Sequence, residues 1–395
     1  MNTRQEELRR RLGMLGFDEV RFAQVGAVPA EGLGRWLGWG FHADMAWMER
    51  TAAKRSNPDL VLPGARSIIM LGINYWRGQE AEDRGSRGEG PRWARYALYE
   101  DYHDTIKPAL LAAGRAIEEF HGADRSSYRY YVDTGPVLER GWAERAGLGF
   151  LGKNGMLISR KFGNWLLLAT ILTRVEFEPD GPLRAKSSAS AAESRVGLLC
   201  GKCTRCLDAC PTQAIPQPGL VDSRRCISYQ TIENRGMIPR ELRPGIGDRI
   251  YGCDVCLEVC PWNRFARAGR RMLLAARSEI AMLSLRDLLE FTPGRFAEVF
   301  RRTPVKRLKL TGLLRNACVA AGNAATRAGG GHDLVAPLMR LATQAAPMVR
   351  AHAVWAVQRI VGADAPQLLA MARARETHPV VRAEHAAEAG GSGAT

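Results

Sequence analysis

No stretch of this 395-residue chain stays apolar for the roughly 20 residues a membrane-spanning helix needs, which excludes a helical membrane bundle. Met1 to Arg11 is polar and charged, with no apolar signal-peptide core behind it, so the expected location is the cytoplasm. Thiols stay reduced there, so disulfides are not expected and clustered cysteines are read as metal ligands. Acidic residues are few: 41 Asp and Glu stand against 56 Lys and Arg, a formal charge of +15. That excess rules out an acidic surface and attracts polyanions.

The length allows two or three domains with substantial cores. Residues 1–178 read as an α/β domain. Ser67–Tyr75 and Tyr128–Val132 are expected strands, and a helix is expected from Pro136 through Ala146. Met156–Arg160 and Trp165–Val175 read as strands joined by a turn. Pro182–Ser194 reads as a linker or mobile insertion. A cysteine-rich module follows over 196–268, and 269–395 is helical in pattern. Segments beginning at Pro347 and Pro379 share a Pro-x-Val-Arg-Ala core, as in helical-hairpin repeats. Gly390–Thr395 is an expected disordered end.

Eight of the nine cysteines fall into two spaced sets. Cys200-x2-Cys203-x2-Cys206-x3-Cys210-Pro211 has the spacing of two-cluster ferredoxins, in which three thiolates wrap one [4Fe–4S] cubane and the fourth reaches the other. Cys253-x2-Cys256-x3-Cys260-Pro261 repeats its end one cysteine short, and Cys226 is the available substitute. The expected sets are Cys200, Cys203, Cys206 and Cys260 on one cluster, and Cys210, Cys226, Cys253 and Cys256 on the other. Zinc is the alternative, since Cys-x2-Cys pairs also build tetrahedral thiolate sites, but the triple spacing and both Cys-Pro pairs favour iron. Cys318 lies in an apolar helix and reads as a core thiol.

Gly147-x-Gly149-x-x-Gly152-Lys153-Asn154 mimics nucleotide-binding glycine motifs. Those need a strand before the glycines and a helix after, whereas here a helix precedes and a strand follows. The nucleotide reading is therefore rejected. The glycines either bring the backbone close to a flat ligand or simply turn the chain.

Asp133-Thr134-Gly135-Pro136-Val137-Leu138-Glu139-Arg140 and Gly149-Phe150-Leu151-Gly152-Lys153-Asn154, with the eight-cysteine pattern, resemble the epoxyqueuosine reductase family over nearly the whole chain. The resemblance implies an α+β multidomain protein: an N-terminal α/β cobalamin-binding domain, a ferredoxin-like module with two [4Fe–4S] clusters, and C-terminal α-helical HEAT-like repeats. It also implies an oxidoreductase that converts epoxyqueuosine to queuosine at the tRNA wobble position, with electrons passing from the clusters to cobalamin. Asp133 matches the family's proton donor, a role that asks burial to raise its pKa. Arg55, Tyr96, Asp133, Lys153, Ser228, Cys253 and Asp254 match cobalamin-contacting positions. The histidine-supplying signature Asp-x-His-x-x-Gly is incomplete, because Asp101-Tyr102-His103 is followed by Ile106 where glycine belongs. Tyr99 and the linker before Cys200 depart from the family pattern.

From Trp262 to Arg315, thirteen Lys or Arg face four Asp or Glu. Arg301, Arg302, Lys306 and Arg307 are expected phosphate contacts for a tRNA anticodon stem-loop, with Arg235 and also Arg240 and Arg243 nearby. An external low-potential electron donor and a monomeric state complete the expectation. The rival readings are a ferredoxin-type carrier, an RNA-binding scaffold with structural clusters, and a cobalamin reductase of another substrate resembling a dehalogenase.

Overall fold

Ser67–Asn74 is apolar at nearly every position and buried along its whole length, which marks the middle of a sheet covered on both faces. It pairs antiparallel with Glu19–Gln24 on one side and Leu166–Thr173 on the other, and Tyr128–Tyr131 closes the far edge. Ile68 and Met70 face a core with Val137, Trp142 and Leu148 under the helix Glu139–Arg145. The alternate residues Ile69, Leu71 and Ile73 are buried against the opposite side. The structure, a computed structural model, describes residues 3–26, 31–78, 90–183, 196–270, 272–326 and 330–387. They form two compact units, the first being Met1–Arg87, Tyr99–Arg224 and Asp254–Ala276, the second Gly88–Leu98, Arg225–Cys253 and Arg277–Thr395.

Two helices of the first unit frame the end of its edge strand. Asp101 N-caps Tyr102–His121, its side chain accepting from the His103 N–H at 3.1 Å, and Gly122 ends the helix in the left-handed conformation. Tyr128 Oη donates to Glu118 at 2.7 Å and ties that helix to the edge strand. The helix expected from Pro136 begins only at Glu139. Residues 132–137 bend instead, because the chain leaves the strand through a tight turn. Thr134 N–H donates to Val132 O at 2.6 Å around Asp133, whose φ is 60°. That is a positive-φ γ-turn, a conformation few non-glycine residues adopt.

In the second unit, helices Lys309–Ala324, Val335–Gln344, Pro347–Val361 and Pro379–Ala386 pack beside a short parallel ladder of Arg92–Trp93 and Arg249–Tyr251. Cys318 is fully buried there, as expected of a core thiol. Arg315, also fully buried, donates to the carbonyls of Gln230, Asn234 and Gly236. Asn316 Nδ2 donates to Thr231 O and Ile250 O, both at 2.8 Å. Residues 184–194 of the expected linker and the final Gly390–Thr395 lie outside the described residues.

Candidate functional site

Asp133 sits just past the end of Tyr128–Tyr131 with its side chain 65% exposed. The burial expected of a proton donor is thus not supplied by the described residues. They supply hydrogen bonds: Tyr102 Oη donates to Asp133 Oδ2 at 2.8 Å, and His103 Nε2 stands 3.5 Å from the same oxygen. The His103 ring stacks on Tyr102 and bonds Asp101 Oδ1 through Nδ1 at 2.7 Å. Burial alone would lower the His103 pKa, but the hydrogen bonds and charges of Asp101 and Asp133 outweigh it and push it up to about 9. At neutral pH the ring is an imidazolium held between two carboxylates.

Three more charges converge on Asp133. Burial and the Asp133 charge push Glu139 up to about 7, while Arg55 and Arg140 act in the opposite sense. Glu139 Oε1 is buried with no hydrogen-bond partner. Arg55 donates to Val137 O at 3.1 Å and Thr51 Oγ1 at 2.9 Å, and burial lowers its pKa against the pull of Glu139 and Asp133. The structure therefore brings Arg55 and Asp133 within reach of each other's charge. Sequence reasoning missed Tyr102, His103, Asp101 and Glu139 as members of the site. The signal lay in Asp101-Tyr102-His103, which in sequence reads only as a broken metal motif.

The cysteine sets share one local fold. Thr204 and Asp254 stand at the N-caps of the short helices Arg205–Asp208 and Val255–Glu258, with φ,ψ of −125°,4° and −109°,6°. In both, a single residue separates the helix end from a Cys-Pro pair, with near-identical C-cap angles at Ala209 and Val259. Cys203, Cys206 and Cys210 thus repeat fifty residues later as Cys253, Cys256 and Cys260, whereas the counterpart of Cys200 is Ile250. Cys200, Cys203, Cys206 and Cys260 line one recess together with Lys153, Asn154, Arg205 and Trp262. All eight cysteine residues are partly exposed, and Cys210 Sγ accepts from Ala214 N–H at 3.2 Å. Among the described residues, no three His, Cys, Asp or Glu side chains are arranged to hold a metal ion by themselves. The four thiols stand around an open recess instead.

Lys153 lines the thiol recess and donates to Gly201 O at 2.7 Å. Tyr96 lies in the second unit, its ring edge-on to Tyr251. There Ser228 Oγ donates to Cys253 O at 3.5 Å. The glycine run turns the chain against itself: a side chain at Gly149 would meet Ile158 O at 2.5 Å, and a short strand, Phe150–Leu151, occupies the middle of the motif. That agrees with rejecting a nucleotide loop. Arg301, Arg302, Lys306 and Arg307 are exposed around buried Thr303, Pro304, Val305 and Leu308. Arg235 reaches Leu308 O at 3.4 Å, and Arg307 pairs with Glu233 at 2.8 Å. Arg243 is a correction: it is buried and paired with Glu384 at 2.9 Å, and Arg240 bonds the same carboxylate, so Arg243 is a core residue and not an RNA contact.

Comparison with known proteins places these features. The profile described as 4Fe-4S double cluster binding domain matches residues 199–263, and that of Epoxyqueuosine reductase QueG, DUF1730 matches residues 55–134. An epoxyqueuosine reductase from Xanthomonas campestris is 37% identical over 324 residues, covering 82% of this chain and 86% of its own. One from Synechocystis is 40% identical over 290 residues, covering 73% and 93%. Among solved structures, an epoxyqueuosine reductase with an epoxyqueuosine-modified tRNA stem loop superimposes with a TM-score of 0.80 at 29% identity, covering 97% of this chain and 96% of that one. The Bacillus subtilis enzyme, described with its aspartate-bearing catalytic loop swung out of the active site, gives a TM-score of 0.78 at 29% identity, covering 97% of both chains. No helix among the described residues is long and apolar enough to cross a membrane. With its double-cluster segment, its mixed α/β fold and relatives matched over most of their length, this chain belongs to the epoxyqueuosine reductase family.

Proposed function

We propose that this chain reduces the epoxide of epoxyqueuosine in a tRNA anticodon stem-loop, giving queuosine. The observation that carries the reading is the Asp133 carboxylate held at the end of a strand by Tyr102 and the His103 imidazolium. Removing the epoxide oxygen as water consumes two electrons and two protons. Asp133 is the group that touches the departing oxygen. His103, protonated at neutral pH and anchored by Asp101, passes its proton to the Asp133 carboxylate as Asp133 protonates the departing oxygen, and solvent supplies the second proton and recharges His103. Such a proton-delivery site has no task in a bare electron carrier or a structural RNA scaffold.

Cys200, Cys203, Cys206 and Cys260 are the proposed ligands of one [4Fe–4S] cluster, and Cys210, Cys226, Cys253 and Cys256 those of the other. The recess, the repeated helix geometry and the N–H···S bond to Cys210 fit that assignment. Arg55, Tyr96, Asp133, Lys153, Ser228, Cys253 and Asp254 are proposed to hold cobalamin. The unsatisfied Glu139 Oε1 beside Arg55 fits the amide-bearing rim of a corrin. When bound, cobalamin supplies low-potential electrons to the substrate. Arg235, Arg301, Arg302, Lys306 and Arg307 are the proposed tRNA contacts. The proposed layout is a cobalamin domain over 1–178, a ferredoxin-like module over 196–268 and HEAT-like repeats over 269–395, in a cytoplasmic monomer served by an external electron donor.

The test is to reconstitute the protein without oxygen, supply a stem-loop carrying epoxyqueuosine and a low-potential reductant, and weigh the released nucleosides. Loss of one oxygen atom is expected. Recovery of the epoxide intact would refute the reading.

A further inference from the structure

The recess holding Cys200, Cys203, Cys206 and Cys260 lies near solvent, since each of these residues is partly exposed. The charged side chains lining it, Lys153 and Arg205, are both cationic. Lys202 and Arg264 are exposed on the flanking segments. Among them stand two large apolar side chains facing water, Leu198 at 36% and Phe265 at 43% exposure. Phe265 packs on Trp262, a wall of the recess, with the Arg264 guanidinium 4.5 Å from its ring. Trp262 Nε1 donates to Leu199 O at 3.2 Å, so the segments bearing Leu198 and Phe265 are fastened together at the rim. The acid on the adjoining short helix, Asp208, is engaged by Thr204 at 2.7 Å, and Glu258 ends the other helix.

This surface differs in kind from the basic stretch at 301–309. There the apolar residues Pro304, Val305 and Leu308 are buried and only cations face outward, which suits a phosphate backbone. At the thiol recess exposed aromatic and aliphatic groups sit inside a cationic rim, the composition of a protein-docking patch. Charged rims steer encounter, and a small apolar centre suffices for a transient electron-transfer contact.

We propose that the rim formed by Leu198, Lys202, Arg205, Arg264 and Phe265 is the docking site of an acidic one-electron carrier protein, which reduces the cluster in this recess. The inference rests on the iron–sulfur reading of the cysteines. Each encounter moves one electron from the reduced carrier to the oxidised cluster, so two encounters supply the electrons for one turnover. The carboxylates of such a carrier complement Lys202, Arg205 and Arg264, and its exposed redox group meets Phe265.

The reconstituted full-length protein is mixed in stopped flow with a reduced acidic ferredoxin, and bleaching of the iron–sulfur band is followed across a salt series. The rate constant is expected to fall steeply with salt. K202E/R205E/R264E is expected to lower it at least about tenfold at low salt and to flatten the salt dependence. F265S is expected to slow reduction at every salt concentration. Reduced methyl viologen, a small cation that needs no docking surface, is expected to bleach F265S at the parent rate and the charge-reversed variant at least as fast. A carrier rate unmoved by charge reversal overturns the proposal, as does an equal loss with viologen, which would report damage to the site. Weakened stem-loop binding with an unchanged carrier rate would assign the surface to RNA instead. A preparation with no iron–sulfur band defeats the reading of the cysteines themselves, an outcome distinct from indifference to the carrier.

Discussion

The left-handed region is an unusual place for the proposed proton donor, and the cost is local. Asp133 gives up roughly 1–2 kcal/mol of backbone preference to stand where Tyr102 and His103 reach it. Asp133→Gly is therefore expected to keep or raise the thermal midpoint while abolishing turnover; a clear fall in midpoint would show that the carboxylate bonds outweigh the strain. Asp133→Asn is expected to preserve both cluster absorption and cobalamin binding and to lose most turnover, and full activity in that variant would remove Asp133 from the chemistry. His103 gives a pH test. Its pKa rises from 6.5 to about 9 on folding, so the stability it contributes is fully present below about 6.5 and is lost as pH climbs through about 9. Turnover is expected to fall along the same alkaline limb, and His103→Gln is expected to erase that limb. None of this is visible in the sequence. Family resemblance picks out Asp133, but its partners lie thirty residues away on a helix whose N-cap aims them. The broken Asp-x-His-x-x-Gly pattern points to the right residues for the wrong chemistry.

Elements were legible where pattern and packing agree. Ser67–Asn74 reads as a buried strand because every residue is covered, and the cysteine spacing survives because short helices set it. Boundaries failed where one backbone angle decided them, as at Asp133, whose turn delays the next helix to Glu139. Charge was the least legible property. Arg243 lies in a chain segment rich in cations, yet it is buried with Glu384, a carboxylate brought from the last described helix. Breaking such a pair leaves an uncompensated buried charge, so Glu384→Ala is expected to destabilise the second unit by about 3–5 kcal/mol. Chemical denaturation followed by far-ultraviolet circular dichroism would measure this. A change under about 1 kcal/mol would mean that water reaches Arg243.

At the scale of the molecule, a net charge of +15 predicts only that polyanions bind. The structure shows two of the surfaces that carry such cations, one of cations alone and one with an apolar centre. Reversing Arg301, Arg302 and Lys306 is expected to weaken stem-loop binding and to reduce its log–log salt slope by about 0.7–0.9 for each phosphate no longer neutralised. Arg307, already engaged by Glu233, is expected to matter less. Unchanged affinity on titration would move the RNA site elsewhere. The exchange of a cysteine for Ile250 reaches further than its own position. In the second unit the segments carrying Cys226 and Cys253 are pinned by Arg315 and Asn316 of one buried helix, with Ile250 among the groups they grip. Iron at Cys226 and Cys253, as proposed, would thereby become a gauge of that helix. Warming that melts it should bleach the colour these cysteines are proposed to sustain.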